Sequence, residues 1–394
     1  MKMRIVFVNL HGNEFLLKTS SKMLFKQSVA IKHKYFLDYL LEQPDVEVCS
    51  YINKKGFSLA YTLGKPFAFL RFLEHKIVLK KNGIDLSKIK VLKRESEIRN
   101  DDIIIMYQYY ANQFAWTNRP NVFIAVSMIH FGTAMSSVMK ELQPNVLFNE
   151  SNLKKYSKIF NHFYGWFDKD FLIQPFVYAP RFKSIRPFQE RENRAVSVGT
   201  ITYMDNITCI YGDPCAQPAR KQIKEHAKEL EDYIACFNND YKEDNTEKKV
   251  LPNDSFLICL YKQWYNKTHV GQQKSYYSFN MVDKFNDFKM CVVGEEIMGI
   301  PGVGFVEGMA CGCAYIGQTL GYYEDLGMQE GVHYIGYDGS LDDLKRKIHY
   351  YQQAEHQDEL ERIARTGYEY VRTHFNSQNV AECLLNKLKS YIAK

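Results

Sequence analysis

A chain of 394 residues is too long for one compact core and suits two domains of ordinary size. Its content of 46% hydrophobic and 24% charged residues is that of a soluble globular protein. The net charge of +6 argues against the dense basic field of a nucleic-acid binder, but suits an anionic substrate or membrane surface.

Arg4–Leu10 is a continuous apolar run, the mark of a strand buried on both faces, and the loop His11-Gly12-Asn13 follows it. Nothing in the first residues has the form of a secretory leader. Gln27–Leu41 has helical spacing, Pro44-Asp45 stops it, and Val46–Tyr51 reads as the next strand. Leu63–Lys81 interleaves phenylalanines and leucines with five basic residues, which reads either as a segment that lies on a membrane or as a helix packed on its own domain with solvated lysines. Ile103–Met106, Asn121–Met128 and Val146–Phe148 are further buried strands, and His130 follows the second of these. A helix is expected over Leu153–Phe163 and a strand over Phe171–Val177. Alternating strands and helices predict a doubly wound α/β domain over residues 1–182.

Residues 183–194 are polar and charged, with Pro187, and read as a linker. A second domain is expected over 195–376, opening with a strand at Ala195–Gly199. Asn238–Asn253 is Asn-rich and charged and reads as an exposed loop. Phe288–Gly294 is a strand, Leu341–Gln352 and Glu355–His374 are helices, and residues 377–394 form a last amphipathic helix. The nine cysteines show no CxxC pair and no zinc-finger spacing, which predicts reduced, mostly buried thiols and no metal site. No stretch reaches the roughly 18 apolar residues that span a bilayer. A cytoplasmic protein is expected, with peripheral contact to the cytoplasmic face of the inner membrane through Leu63–Lys81.

The densest glycine run is GIPGVGFVEGMACGCAYIG, Gly299–Gly317. A helix starting at Phe305 or Val306 would aim its free N–H groups into Gly302-Val303-Gly304, and such a terminus attracts anions. Neither GxGxxG nor GxxxxGK[ST] is present. On the loop alone, a tight strand-to-helix connection is the better reading, and a diphosphate cradle is the functional one.

The run Glu307-Gly308-Met309-Ala310-Cys311-Gly312 resembles the nucleotide-sugar motif of GT-B glycosyltransferases of group 1, and the text to about residue 375 is similar to that family and to its spore-maturation-type branch. The first half is similar more loosely, through NVLFNESNLKKY and FLIQPFVYAPRF. The resemblance implies two Rossmann-like domains facing a cleft, with the last helix packed back on the first domain. It implies a metal-independent, retaining, hexosyltransferase-like enzyme with no cofactor. A nucleoside-diphosphate sugar is the donor, and a glycan or lipid-linked glycan of surface polysaccharide, such as O-antigen or capsule, is the acceptor.

By the same resemblance Gly302, Gly304, Phe305 and Val306 hold the diphosphate through their backbone and Glu307 holds the ribose. His130 contacts the donor sugar, and Gly12 and Asn13 lie on the acceptor side. The family's first glutamate falls on Gly299, so Glu295 or Glu296 is expected to replace it. The family's diphosphate arginine falls on Thr200, so Lys262, Lys267 or Lys274 is expected to supply the cation, with Lys274 preferred as donor-binding residue. Two rivals remain: a scaffold of the same fold with its chemistry reduced, and a nucleotide-sugar epimerase of similar build.

Overall fold

The structure, a computed structural model, describes residues 2–8, 33–51, 73, 76–77, 79–80, 83–108, 121–129, 131–240, 248, 255–265, 269 and 279–392. In the first half the strands are β1 (Met3–Val8), β2 (Val46–Tyr51), β3 (Lys90–Leu92), β4 (Ile103–Tyr107), β5 (Phe123–Ser127), β6 (Val146–Asn149) and β7 (Phe171–Ile173). They form one parallel sheet in the order β3-β2-β1-β4-β5-β6-β7. The helices are α1 (Lys34–Glu42), α2 (Ser136–Leu142), α3 (Leu153–Tyr156) and α4 (Lys158–Tyr164). Helices cover both sheet faces, so the strands read as unbroken apolar runs: Ile5–Phe7 and Ile103–Ile105 have no exposed surface.

The second half carries β8 (Glu192–Ile201), α5 (Thr208–Tyr211), α6 (Pro218–Glu225), β9 (Ile234–Asp240), α7 (Phe256–Tyr265), α8 (Met281–Asp287), β10 (Phe288–Val292) and α9 (Gly304–Ala310). Then come β11 (Ala314–Gln318), α10 (Tyr322–Asp325), β12 (Ile335–Tyr337), α11 (Leu341–Gln352), α12 (Gln357–His374) and α13 (Ser377–Ile392). Its five strands are also parallel, in the order β12-β11-β10-β8-β9.

Four local expectations change. The helix over Leu153–Phe163 breaks at Ser157, which leaves helical geometry and whose hydroxyl caps the Phe160 N–H at 3.1 Å. The strand at Phe171 ends at Ile173, ahead of Pro175, which has no N–H for a ladder. Strand β8 begins at Glu192, inside the stretch that reads as linker. The loop expected from Asn238 onward begins later, because Asn238 is a buried member of β9 whose Nδ2 donates to Ser197 Oγ at 2.9 Å.

Helix α13 returns to the first domain. Its Ala381, Leu384, Leu385 and Leu388 share a core with Phe36, Leu37 and Leu40 of α1. Lys389 pairs with Asp45 at 2.8 Å, and Tyr391 donates to Asp170 at 2.9 Å. Among the described residues no helix is long and apolar enough to cross a membrane, and the described cysteines are free thiols.

Candidate functional site

Strands β8 and β10 are neighbours although β9 lies between them in the chain, so the sheet reverses its winding there. The crevice past the C-terminal ends of such a strand pair is where open parallel sheets bind ligands.

Arg220 occupies that crevice. It comes from α6, whose start is set by Pro218 at the first helical turn. Its Nε donates to the Val293 carbonyl at 2.6 Å and its Nη1 to the Thr200 carbonyl at 2.9 Å, so the side chain bridges the two strand ends. It is 8% exposed, and no carboxylate among the described residues pairs with it. A cation withdrawn from water without a counter-ion costs several kcal/mol, so the site is set up to receive an anion.

Three glycines wall the guanidinium. A Cβ on Gly199 would lie 2.6 Å from Nε, one on Gly302 2.8 Å from Nη2, and one on Gly294 3.1 Å from Cγ. Gly304 and Gly308 are held against Val293 and Cys291, whose atoms a Cβ would meet at 3.0 and 2.5 Å. The glycines of this stretch make room for the protein's own atoms. At Gly302 that neighbour is the Arg220 guanidinium.

Helix α9 begins at Gly304. Phe305 and Val306 turn their side chains fully into the core, where Phe305 lies edge-on to Tyr323 and Phe375. The Phe305 N–H already donates to the Gly302 carbonyl at 3.0 Å, so it is not open to a ligand as the sequence led us to expect. Glu307 stands in the first turn, half-buried, and its carboxylate takes no hydrogen bond from a described residue. Burial pushes its carboxyl up from 4.5 to about 7, against the pull of the Arg181 charge.

Glu295 sits just after Gly294 and is 4% exposed. Its Oε1 accepts from Tyr323 Oη and the Gln318 N–H, both at 2.8 Å, and from Tyr315 Oη at 3.2 Å. Burial raises its carboxyl, and Oε2 has no hydrogen-bond partner among the described residues. This carboxylate ties the end of β10 to that of β11. The main chain of Glu296 pairs with Ile300 in a short turn, its N–H donating at 2.9 Å.

That turn meets the first domain. Met298 and Ile300 enter the cluster of Phe131, Met139 and Phe160. Ser151 Oγ donates to the Gly299 carbonyl at 2.5 Å. Gly299 has φ +79°, and a Cβ there would come within 3.0 Å of the Ser157 backbone. Nearby, Tyr156 Oη donates to Asp325 at 2.6 Å and to the Gly321 carbonyl at 2.8 Å, and Lys155 pairs with Asp325 at 2.8 Å.

Residues 224–386 match the family model described as glycosyl transferase-like. No curated protein matches the sequence. Two solved structures are similar in fold across nearly the whole chain. HepE of Anabaena, in complex with UDP-glucose, is 11% identical with a TM-score of 0.52, covering 98% of this chain and 100% of its own. A glycosyltransferase from Rickettsia africae is 12% identical with a TM-score of 0.50, covering 100% of this chain and 99% of its own.

The match to a glycosyl transferase-like family is confined to residues 224–386, and the whole chain has the GT-B fold.

In this GT-B chain the structure brings Thr200, Gly302 and Gly304 together around Arg220, with Glu307 on the same helix as Gly304. Thr200 stands where the family's arginine was expected, and its carbonyl holds Arg220 instead. Gly12, Asn13, His130, Lys267 and Lys274 lie outside the described residues, as does most of Leu63–Lys81. Lys262 is half-buried on α7. Arg220 escaped the sequence reading because PARKQIKEH has the pattern of an ordinary solvated helix.

Proposed function

We propose that the protein is a glycosyltransferase that moves a sugar from a nucleoside-diphosphate donor to an acceptor hydroxyl. The observation that carries this reading is Arg220, a buried cation with no carboxylate partner among the described residues, at the strand crossing of a GT-B domain. In the reaction the bond from the sugar's C1 to the diphosphate breaks and the acceptor oxygen takes its place. Charge gathers on the departing diphosphate, where a fixed cation stabilises the transition state. Arg220 supplies it, with the Gly302–Gly304 backbone alongside and Glu307 as partner for the ribose hydroxyls. Because the guanidinium provides this charge, we expect turnover without a metal ion. The similar fold of HepE, solved with UDP-glucose, makes UDP the first nucleotide to try. The family resemblance supports retention of configuration and an acceptor among glycans or lipid-linked glycans of surface polysaccharide.

The test is calorimetric binding of UDP, GDP, CDP, TDP and ADP, followed by donor turnover. One diphosphate should bind and, at a hundred times its Kd, stabilise the fold by about 2.7 kcal/mol. Binding without turnover on any acceptor would favour the scaffold reading. No binding by a folded sample would remove the donor site.

A further inference from the structure

Helix α7 shows its apolar side to solvent. Leu257 is 75% exposed, Trp264 54%, Tyr261 49% and Ile258 46%. With Tyr265 they recur at the spacing of one helix face. The other large apolar side chains exposed among the described residues, such as Ile185, Tyr203, Leu320 and Tyr350, occur singly along the chain, whereas a contiguous exposed set marks a binding surface. Basic groups border it: Lys248 Nζ lies 4.9 Å over the Tyr261 ring and 4.5 Å over that of Tyr265, and His269 stacks on Tyr265 at 4.4 Å. The sequence from Ser255 to Asn280 holds three lysines and no Asp or Glu, in a chain where acids number 45 of 394.

We infer that this face docks on an anionic lipid bilayer. Three features select that occupant. Tyrosine and tryptophan favour the headgroup level, where an apolar ring and a polar edge are both satisfied. Leu257 and Ile258 are aliphatic, and gain by entering hydrocarbon. A single-stranded nucleic acid would use the rings and lysines but has no use for the aliphatic pair. The acid-free run suits the negative surface potential of an anionic leaflet. The face lies outside the Leu63–Lys81 run in the sequence and does not depend on the donor assignment.

The experiment is sedimentation of the full chain with vesicles of phosphatidylcholine alone and of phosphatidylcholine mixed with phosphatidylglycerol. Binding should need the anionic lipid and weaken as salt rises. The triple variant Leu257→Ser, Ile258→Ser, Trp264→Ser should lose about tenfold or more in partitioning, because affinity scales with the apolar area inserted. Its melting temperature should match the wild type, since all three side chains are exposed. As a check independent of that variant, brominated lipid should quench the wild-type tryptophan emission, and Trp264→Phe should remove the quenching. The inference is overturned if the wild type does not bind vesicles, or if the triple variant or Trp264→Phe behaves as wild type. It is overturned too if the face instead drives self-association or binds a single-stranded oligonucleotide without binding vesicles.

Discussion

At Arg220, one guanidinium closes the gap between two strand ends and leaves its charge for a ligand. Lysine keeps the charge but loses the planar fork that reaches both the Val293 and Thr200 carbonyls. Arg220→Met should therefore weaken nucleoside-diphosphate binding by about 2–5 kcal/mol, the loss seen when one partner of a buried charge pair is truncated. Binding of the bare nucleoside should change little, and calorimetry with both ligands separates lost charge from lost fold. Glu307 makes a second prediction. A carboxyl raised from 4.5 to about 7 keeps a proton in the folded state that the unfolded chain has released. Its contribution to stability is thus full below about 4.5 and is lost as the pH climbs toward about 7. The melting temperature of wild type relative to Glu307→Gln should fall across that window, and a flat difference would show that the carboxyl is not raised. Glu307 was legible in the sequence from its place in a family-like run. The glycines were legible too, but the atoms that they make room for come from residues 80 or more positions away in some cases, as Arg220 does from Gly302, and no local pattern carries that.

Among the elements, the turn at 296–300 and helix α13 each join the two halves. Gly299→Ala places a Cβ within 3.0 Å of the Ser157 backbone and asks alanine for φ +79°. Both effects strain the same turn, and a loss of about 1–3 kcal/mol is expected. Denaturant unfolding would measure it. Helix α13 buries Leu384 and Leu388 in the core of the first domain, so Leu388→Ala should cost about 2–5 kcal/mol even though the residue is near the end of the chain. A surface position for α13 would make that variant neutral. Its amphipathic period was evident in the sequence, and the family resemblance implied where it packs. The break between α3 and α4 was not evident, because the helical spacing of 153–163 continues through Ser157 and a serine that caps the next helix has the same letter as one inside a helix.

At the scale of the whole molecule, Asp325 holds Tyr156 and Lys155 across the cleft beside the glycine loop. The ion pair with Lys155 is largely exposed and contributes little by itself. Asp325→Asn should then leave the melting temperature nearly unchanged while raising the KM for the donor, through a less fixed cleft. A parallel drop in stability would make Asp325 a fold residue instead. The apolar runs, their alternation with helices and the resemblance after residue 288 were enough to determine two doubly wound domains, because a strand buried on both faces writes its environment into consecutive residues. What only the tertiary structure decided is which charged group stands at the crossing of β8 and β10, and that Glu295 is sealed among tyrosines and bonded to the end of β11. Those facts depend on strand order and on side chains brought together from distant segments. A buried arginine and a solvated one have the same letter and the same local neighbours, and they differ only in what the fold places around them.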